Sequence, residues 1–141
     1  MIIRHWAEFT SDLPDDFIED EHEIIQYGGK SVAAAIGEHL RALGCEVSEP
    51  IYADEHGWEL DVKAGQRALW CQVTQIDKWL ITFEQAPILF DFFKKIRPEY
   101  LDMLARLADA LAADPRFHDV RWFAPDEVHT EAPGAERPLE G

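Results

Sequence analysis

Between positions 58 and 84 the chain alternates apolar and polar residues in three runs separated by turn-forming residues. Trp58, Leu60 and Val62 alternate with Glu59, Asp61 and Lys63. Leu69, Cys71 and Val73 alternate with Trp70, Gln72 and Thr74, and Trp79, Ile81 and Phe83 with Leu80, Thr82 and Glu84. A period of two is that of a half-buried strand, so the pattern predicts a meander whose nine apolar side chains share one face. Register follows, because a slip of one residue would carry a strand's apolar set to the wrong side. A four-residue loop at 64–67 sets Asp61 opposite Trp70, and a three-residue loop at 76–78 sets Trp70 opposite Glu84. Val47 and Ile51 lead into this meander through a turn from Asp54 to Gly57.

The flanking segments change period. Val32, Ile36, Leu40 and Leu43 recur at helical spacing and predict a helix over 31–43, capped by Ser31 and ended by Gly44, with Glu38 and Arg41 in water and His39 beside the stripe. Pro87 closes the meander. Leu89, Phe92, Phe93 and Ile96 then predict a short Phe-rich helix, and Pro98 opens a third, burying Leu101, Leu104, Leu107, Ala108 and Leu111, with Asp102 and Arg106 pairing outside. That helix stops near Asp114 and Pro115. Ile3, His5, Ala7 and Phe9 mark an opening strand, and 120–123 a possible closing one. The expected fold class is α+β, an antiparallel sheet of opening strand, three- to four-stranded meander and closing strand, with the helices on one face. Residues 1–123 form the single domain; 124–141, rich in Pro, Glu and Ala with almost nothing to bury, read as a flexible acidic tail.

Composition supports one core and little else. With 141 residues and 47% apolar content the chain can bury a core without disulfide or metal. Cys45 and Cys71 stand outside any C-x-x-C spacing and read as reduced core thiols. The first residues lack the apolar run of a signal peptide, and no stretch approaches the ~18 apolar residues of a membrane span, which predicts a cytoplasmic protein.

Charge adds a partner class. Twenty-eight acidic residues against thirteen Lys and Arg leave a net charge of −15. Phosphate backbones and anionic lipids are bound mainly through clustered Lys and Arg, so neither nucleic acid nor membrane is an expected partner. The excess is concentrated: Asp12, Asp15, Asp16, Glu19, Asp20, Glu21 and Glu23 occupy one segment, and no Lys or Arg stands between Arg4 and Lys30. This segment reads as a solvated loop anchored on the core by Phe17, Ile18, Ile24 and Ile25.

Motifs for chemistry are incomplete. Gly28 to Ser31 resembles the end of a phosphate-binding loop, but Ile24 stands where its first glycine belongs, so a flexible entry and helix cap is the better reading. His22 and Glu23 begin a zinc-helix pattern in which Gln26 replaces the second histidine. Glu19 to His22 and Asp54 to His56 are acidic clusters with a histidine, yet their spacing assembles no ligand set, and no metal or other cofactor is expected. No nucleophile elbow is present. Glu59 and Asp61 lie about 7 Å apart on one strand face, in water, where nothing enforces acid/base roles. The chain reads more readily as a binding protein than as an enzyme.

From Gly44 to Leu60, the segment Val47, Ser48, Glu49, Pro50, followed by Gly57 and Trp58, resembles a loosely defined set of short bacterial proteins of unassigned function. The resemblance implies a helix ending at Gly44, an edge at Pro50 and a turn at Gly57, and no activity. The functional expectation comes from charge and size: a small acidic adaptor, immunity-type inhibitor or secretion-chaperone-like module for a basic protein. Its contact residues are expected to be Trp70 with Asp61, Glu59 and Glu84 on the polar sheet face, together with Asp15, Asp16, Glu19 and Asp20. The alternative is a small-ligand domain or minor enzyme with a pocket between the sheet and the Phe-rich helix.

Overall fold

A computed structural model describes residues 2–85, 98–128 and 130–140. In chain order the elements are β1 (Ile2–Ile3), β2 (Trp6–Ser11), β3 (Ile18–Glu19), β4 (Ile24–Gln26), α1 (Lys30–Ala42), β5 (Glu46–Val47), β6 (Ile51–Tyr52), a 3-10 turn (Asp54–His56), β7 (Trp58–Ala64), β8 (Arg67–Gln75), β9 (Trp79–Gln85), α2 (Pro98–Ala113), β10 (Phe117–Phe123) and β11 (Leu139–Glu140). The fold is α+β with antiparallel sheets. The Phe-rich helix expected near 88–96, and the ligand pocket expected beside it, lie outside the described residues.

The three alternating runs become β7, β8 and β9, and all nine of their apolar side chains are buried. Asp61 stands opposite Trp70, and Trp70 opposite Glu84, in the register that burial requires. The sheet runs β10-β2-β9-β8-β7-β5, with β6 also on β7. Ala7 and Phe9 of β2 continue the buried face, opposite Ile81 and Trp79. Val32, Ile36 and Leu40 of α1 and Leu104, Leu107 and Leu111 of α2 complete the same core. Asp102 and Arg106 pair one turn apart on the outer side of α2. Among the described residues no helix is long and apolar enough to cross a membrane.

The turn before β7 needs its glycine. Gly57 has φ 88°, and a Cβ there would collide with the Val73 carbonyl of the neighbouring strand.

Several expectations are corrected by long-range contacts. The 64–67 loop is tighter than expected: Ala64 already pairs with Arg67, so Arg67 belongs to β8 and is buried. Ser31 does not cap α1; its own N–H and hydroxyl donate to the Asp16 carboxylate at 2.6 and 3.0 Å, so the cap comes from fifteen residues upstream. Phe17, Ile18, Ile24 and Ile25 are exposed rather than anchored in the core, because 18–19 and 24–26 pair with each other as a projecting hairpin.

The described part of 124–140, expected to have almost nothing to bury, is held against the start of the chain by a few contacts. Arg4, which alternates with Ile3 and His5 between β1 and β2, is buried. Its Nε meets Glu127 at 3.1 Å and its Nη1 meets Glu140 at 2.7 Å, while its N–H donates to the Pro138 carbonyl. β11 pairs with β1, and Ala135 bridges to Trp122 on β10. One buried guanidinium thus ties the C-terminal segment to the first strand.

Leu60 is wholly buried between the helices and its cross-strand neighbour Cys71. Leu60→Ala is expected to cost about 2–5 kcal/mol in urea denaturation. A loss below ~1 kcal/mol would mean that Leu60 does not stand in the core.

Candidate functional site on the open sheet face

The sheet face turned away from the helices carries the polar halves of the alternating runs. Cross-strand pairing sets Asp61, Trp70 and Glu84 side by side in one row, with an indole flanked on both neighbouring strands by carboxylates. Trp70 is partly buried, whereas Asp61 and Glu84 are exposed. Glu59 lies two residues back along β7, between Gln72 and Ile51, and belongs to the next row.

The end of β5 shapes the space beside the indole. Ser48 holds Asp61 from both sides, its Oγ accepting the Asp61 N–H and its own N–H donating to the Asp61 carbonyl, each at 2.9 Å. A groove of about 570 Å³ results, lined by Glu46, Val47, Asp61, Lys63, Trp70 and Glu84. Three carboxylates face one ammonium, and Lys63 already stands opposite Glu46 across β5 and β7. An aromatic platform in negative potential suits a cation, through the ring quadrupole and the nearby carboxylates together. Glu46 and Lys63 were missed from the sequence; the meander register reaches Lys63 two residues beyond Asp61, but Glu46 joins it only through the pairing of β5 with β7.

The acidic segment lies elsewhere. Gly28 packs against Trp79, which pairs with Gln75 at the far end of β8. Trp70 is five residues away along that strand, about 17 Å at ~3.4 Å per residue. The structure therefore divides the expected contact residues: Asp61, Trp70 and Glu84 share a groove, Glu59 borders it, and Asp15, Asp16, Glu19 and Asp20 form a separate acidic region.

Three of those four carboxylates also hold backbone. Asp16 caps α1 and has φ 64°, and the Asp15 carboxylate accepts the Phe17 N–H at 3.1 Å. The Asp20 carboxylate accepts the N–H groups of His22 and Glu23, each at 2.8 Å, which lowers its pKa. The cap also answers the phosphate-loop resemblance, since an internal carboxylate already occupies the start of α1.

Other clusters are structural. His39 Nε2 lies 2.7 Å from Asp114, whose carboxylate also takes the Arg116 guanidinium at 2.8–3.2 Å. This buried aspartate joins α1 to the turn between α2 and β10, and hydrogen bonding from Arg116 holds its carboxyl well below the usual range. Burial raises the thiols of Cys45 and Cys71, which weakens both as nucleophiles. Among the described residues no group of three or more His, Cys, Asp or Glu is placed to hold a metal ion. Compared with known proteins, the chain matches no family model, no curated protein and no solved structure.

Two expected outcomes follow from these carboxylates. Asp16→Ala should cost about 0.5–2 kcal/mol, as loss of a helix cap does, whereas Glu19→Gln should leave the denaturation midpoint unchanged. For Asp114 the folded pKa is depressed, so its stabilisation is complete above the unfolded value of about 3.9 and is lost as pH falls through the folded value. Asp114→Asn should thus lower the urea midpoint at pH 7, and the gap should narrow as pH falls from about 4 towards the depressed folded value. A gap that does not depend on pH would contradict the assignment.

Proposed function

We propose that this protein is an acidic binding module, an adaptor or inhibitor for a basic protein, and that an Arg or Lys side chain of the partner lies across Trp70 between Asp61 and Glu84. One observation carries the reading: the only tryptophan in the polar set of the meander stands in a groove, with a carboxylate on each neighbouring strand. Trp and Arg are the residues that most often dominate interface energetics, and a guanidinium stacked on an indole can also bond the flanking carboxylates. A net charge of −15 adds long-range attraction for a basic partner and works against nucleic acid and anionic membrane. The same composition is what we expect of a cytoplasmic protein.

The groove is also large enough for a small cationic ligand, which is the second reading. Affinity purification with mass spectrometry separates the two, since a stoichiometric basic protein supports the first and a retained small molecule the second. With the partner in hand, rising salt should slow association, while Trp70→Ala should speed dissociation by at least about tenfold. Unchanged affinity after loss of Trp70 would overturn the proposal.

A further inference from the structure

The acidic region at the far end of the sheet carries a second feature that the charge reading overlooks. Phe17, Ile18, Ile24, Ile25, Tyr52 and Ile76 are all exposed, at 37–78% of their surface. Phe17, Tyr52 and Ile76 gather around Tyr27, and Ile18, Ile24 and Ile25 lie on the hairpin that starts beside Phe17. The Phe17 ring meets Tyr27 at 6.4 Å, Phe17, Tyr27 and Ile76 line one hollow of about 280 Å³, and the Tyr52 hydroxyl accepts the Tyr27 N–H at 2.9 Å.

The hairpin that carries Ile18, Ile24 and Ile25 pairs with no other strand among the described residues. A two-stranded hairpin is marginal by itself, and this one is held from outside its own ladder. Gln26 donates to the Asp16 carbonyl at 2.7 Å, and Asp20 closes the tip. The fold therefore fixes a strand pair whose isoleucines it does not bury. Clustered exposed apolar groups rimmed by charge mark interaction surfaces more often than chance.

Charge selects the occupant. Asp15, Glu19, Glu21, Glu23, Glu55 and Asp77 stand among or beside the apolar groups, and no Lys or Arg lies between Arg4 and Lys30. A second copy would bring the same carboxylates against these and add its own −15. An anionic lipid surface would be repelled, and nucleic acid would find neither cations nor a use for isoleucine. We propose that the β3–β4 hairpin, with Phe17, Tyr52 and Ile76, docks a cationic amphipathic segment of another protein. The segment's apolar side lies on one face of the hairpin and on Phe17 and Ile76, and its Lys and Arg residues meet the acidic rim. This surface is distinct from the Trp70 groove and does not depend on it.

The test uses two Leu/Lys peptides of one composition, one amphipathic as a helix and one scrambled, titrated calorimetrically into the full chain at physiological salt. The amphipathic peptide should bind at least about tenfold more tightly. The exposed triple variant Ile18→Ser, Ile24→Ser, Ile25→Ser should lose that preference, and Trp70→Ala should keep it. Should the triple variant unfold, Ile76→Ser at the most exposed position takes its place. Equal binding of the two peptides, or a preference that survives the serine substitutions, overturns the proposal. A preference lost only with Trp70 overturns it too, while supporting the groove. Sedimentation of the free protein should show a monomer, and a dimer abolished by the serine variant would assign the surface to a second copy instead.

Discussion

The pleat of β7, β8 and β9 is the constraint on which the rest of the structure depends. Successive side chains must point to opposite faces, so burying one set exposes the other in a fixed order. Each of these strands buries three apolar side chains, worth ~1.5–3 kcal/mol apiece, so slipping one strand by a residue forfeits about 5–9 kcal/mol. That is comparable with the ~5–15 kcal/mol total stability of a typical domain. The row of Asp61, Trp70 and Glu84 is therefore imposed by hydrophobic burial on the far side of the sheet. Moving the indole out of that row would require unfolding the core beneath it.

The acidic excess is less uniform than a count of charges suggests. Asp15, Asp16 and Asp20 accept backbone N–H groups and hold the hairpin and the start of α1, while Glu19, Glu21 and Glu23 stand exposed. Asp114 is buried under Arg116 and His39, and Glu127 and Glu140 meet Arg4. Carboxylates with partners contribute to folding through directed bonds. Those without contribute mainly field, which costs little locally and acts on whatever approaches.

What could be read from the sequence was what repeats locally. The meander register, the stripes of α1 and α2 and the pairing of Asp102 with Arg106 all follow from periods of two or 3.6 within a few residues. Contacts between distant positions leave no such trace. Arg4 sits in an alternating strand pattern that gives no hint of Glu127 or Glu140, and Asp16 looks like any member of an acidic run until α1 is folded against it. The isoleucines of 18–25 misled for a different reason. Apolar pairs beside charge ordinarily anchor a loop, and composition cannot distinguish an anchor from a hairpin that holds them outward. Within the groove, Asp61, Trp70 and Glu84 were legible, whereas Glu46 and Lys63 depended on where the short β5 joins the sheet.

Negative potential alone cannot choose among basic partners, because any cation is drawn by it. Discrimination requires contacts that exclude water, and those are short-ranged. The two surfaces proposed here offer contacts of different kinds: the groove is sized for single side chains, whereas the hairpin presents apolar area that only a segment can cover. Along β8 the row of Trp70 and the end at Gln75 lie about 17 Å apart, beyond the ~8 Å screening length at physiological salt, so exposed charges at the two ends interact weakly. A standard interface of ~800 Å² per partner is nonetheless wide enough to span both. If one partner engages the two, they are coupled through its rigidity rather than through the field, and a floppy basic chain would gain much less from the second contact than a folded protein.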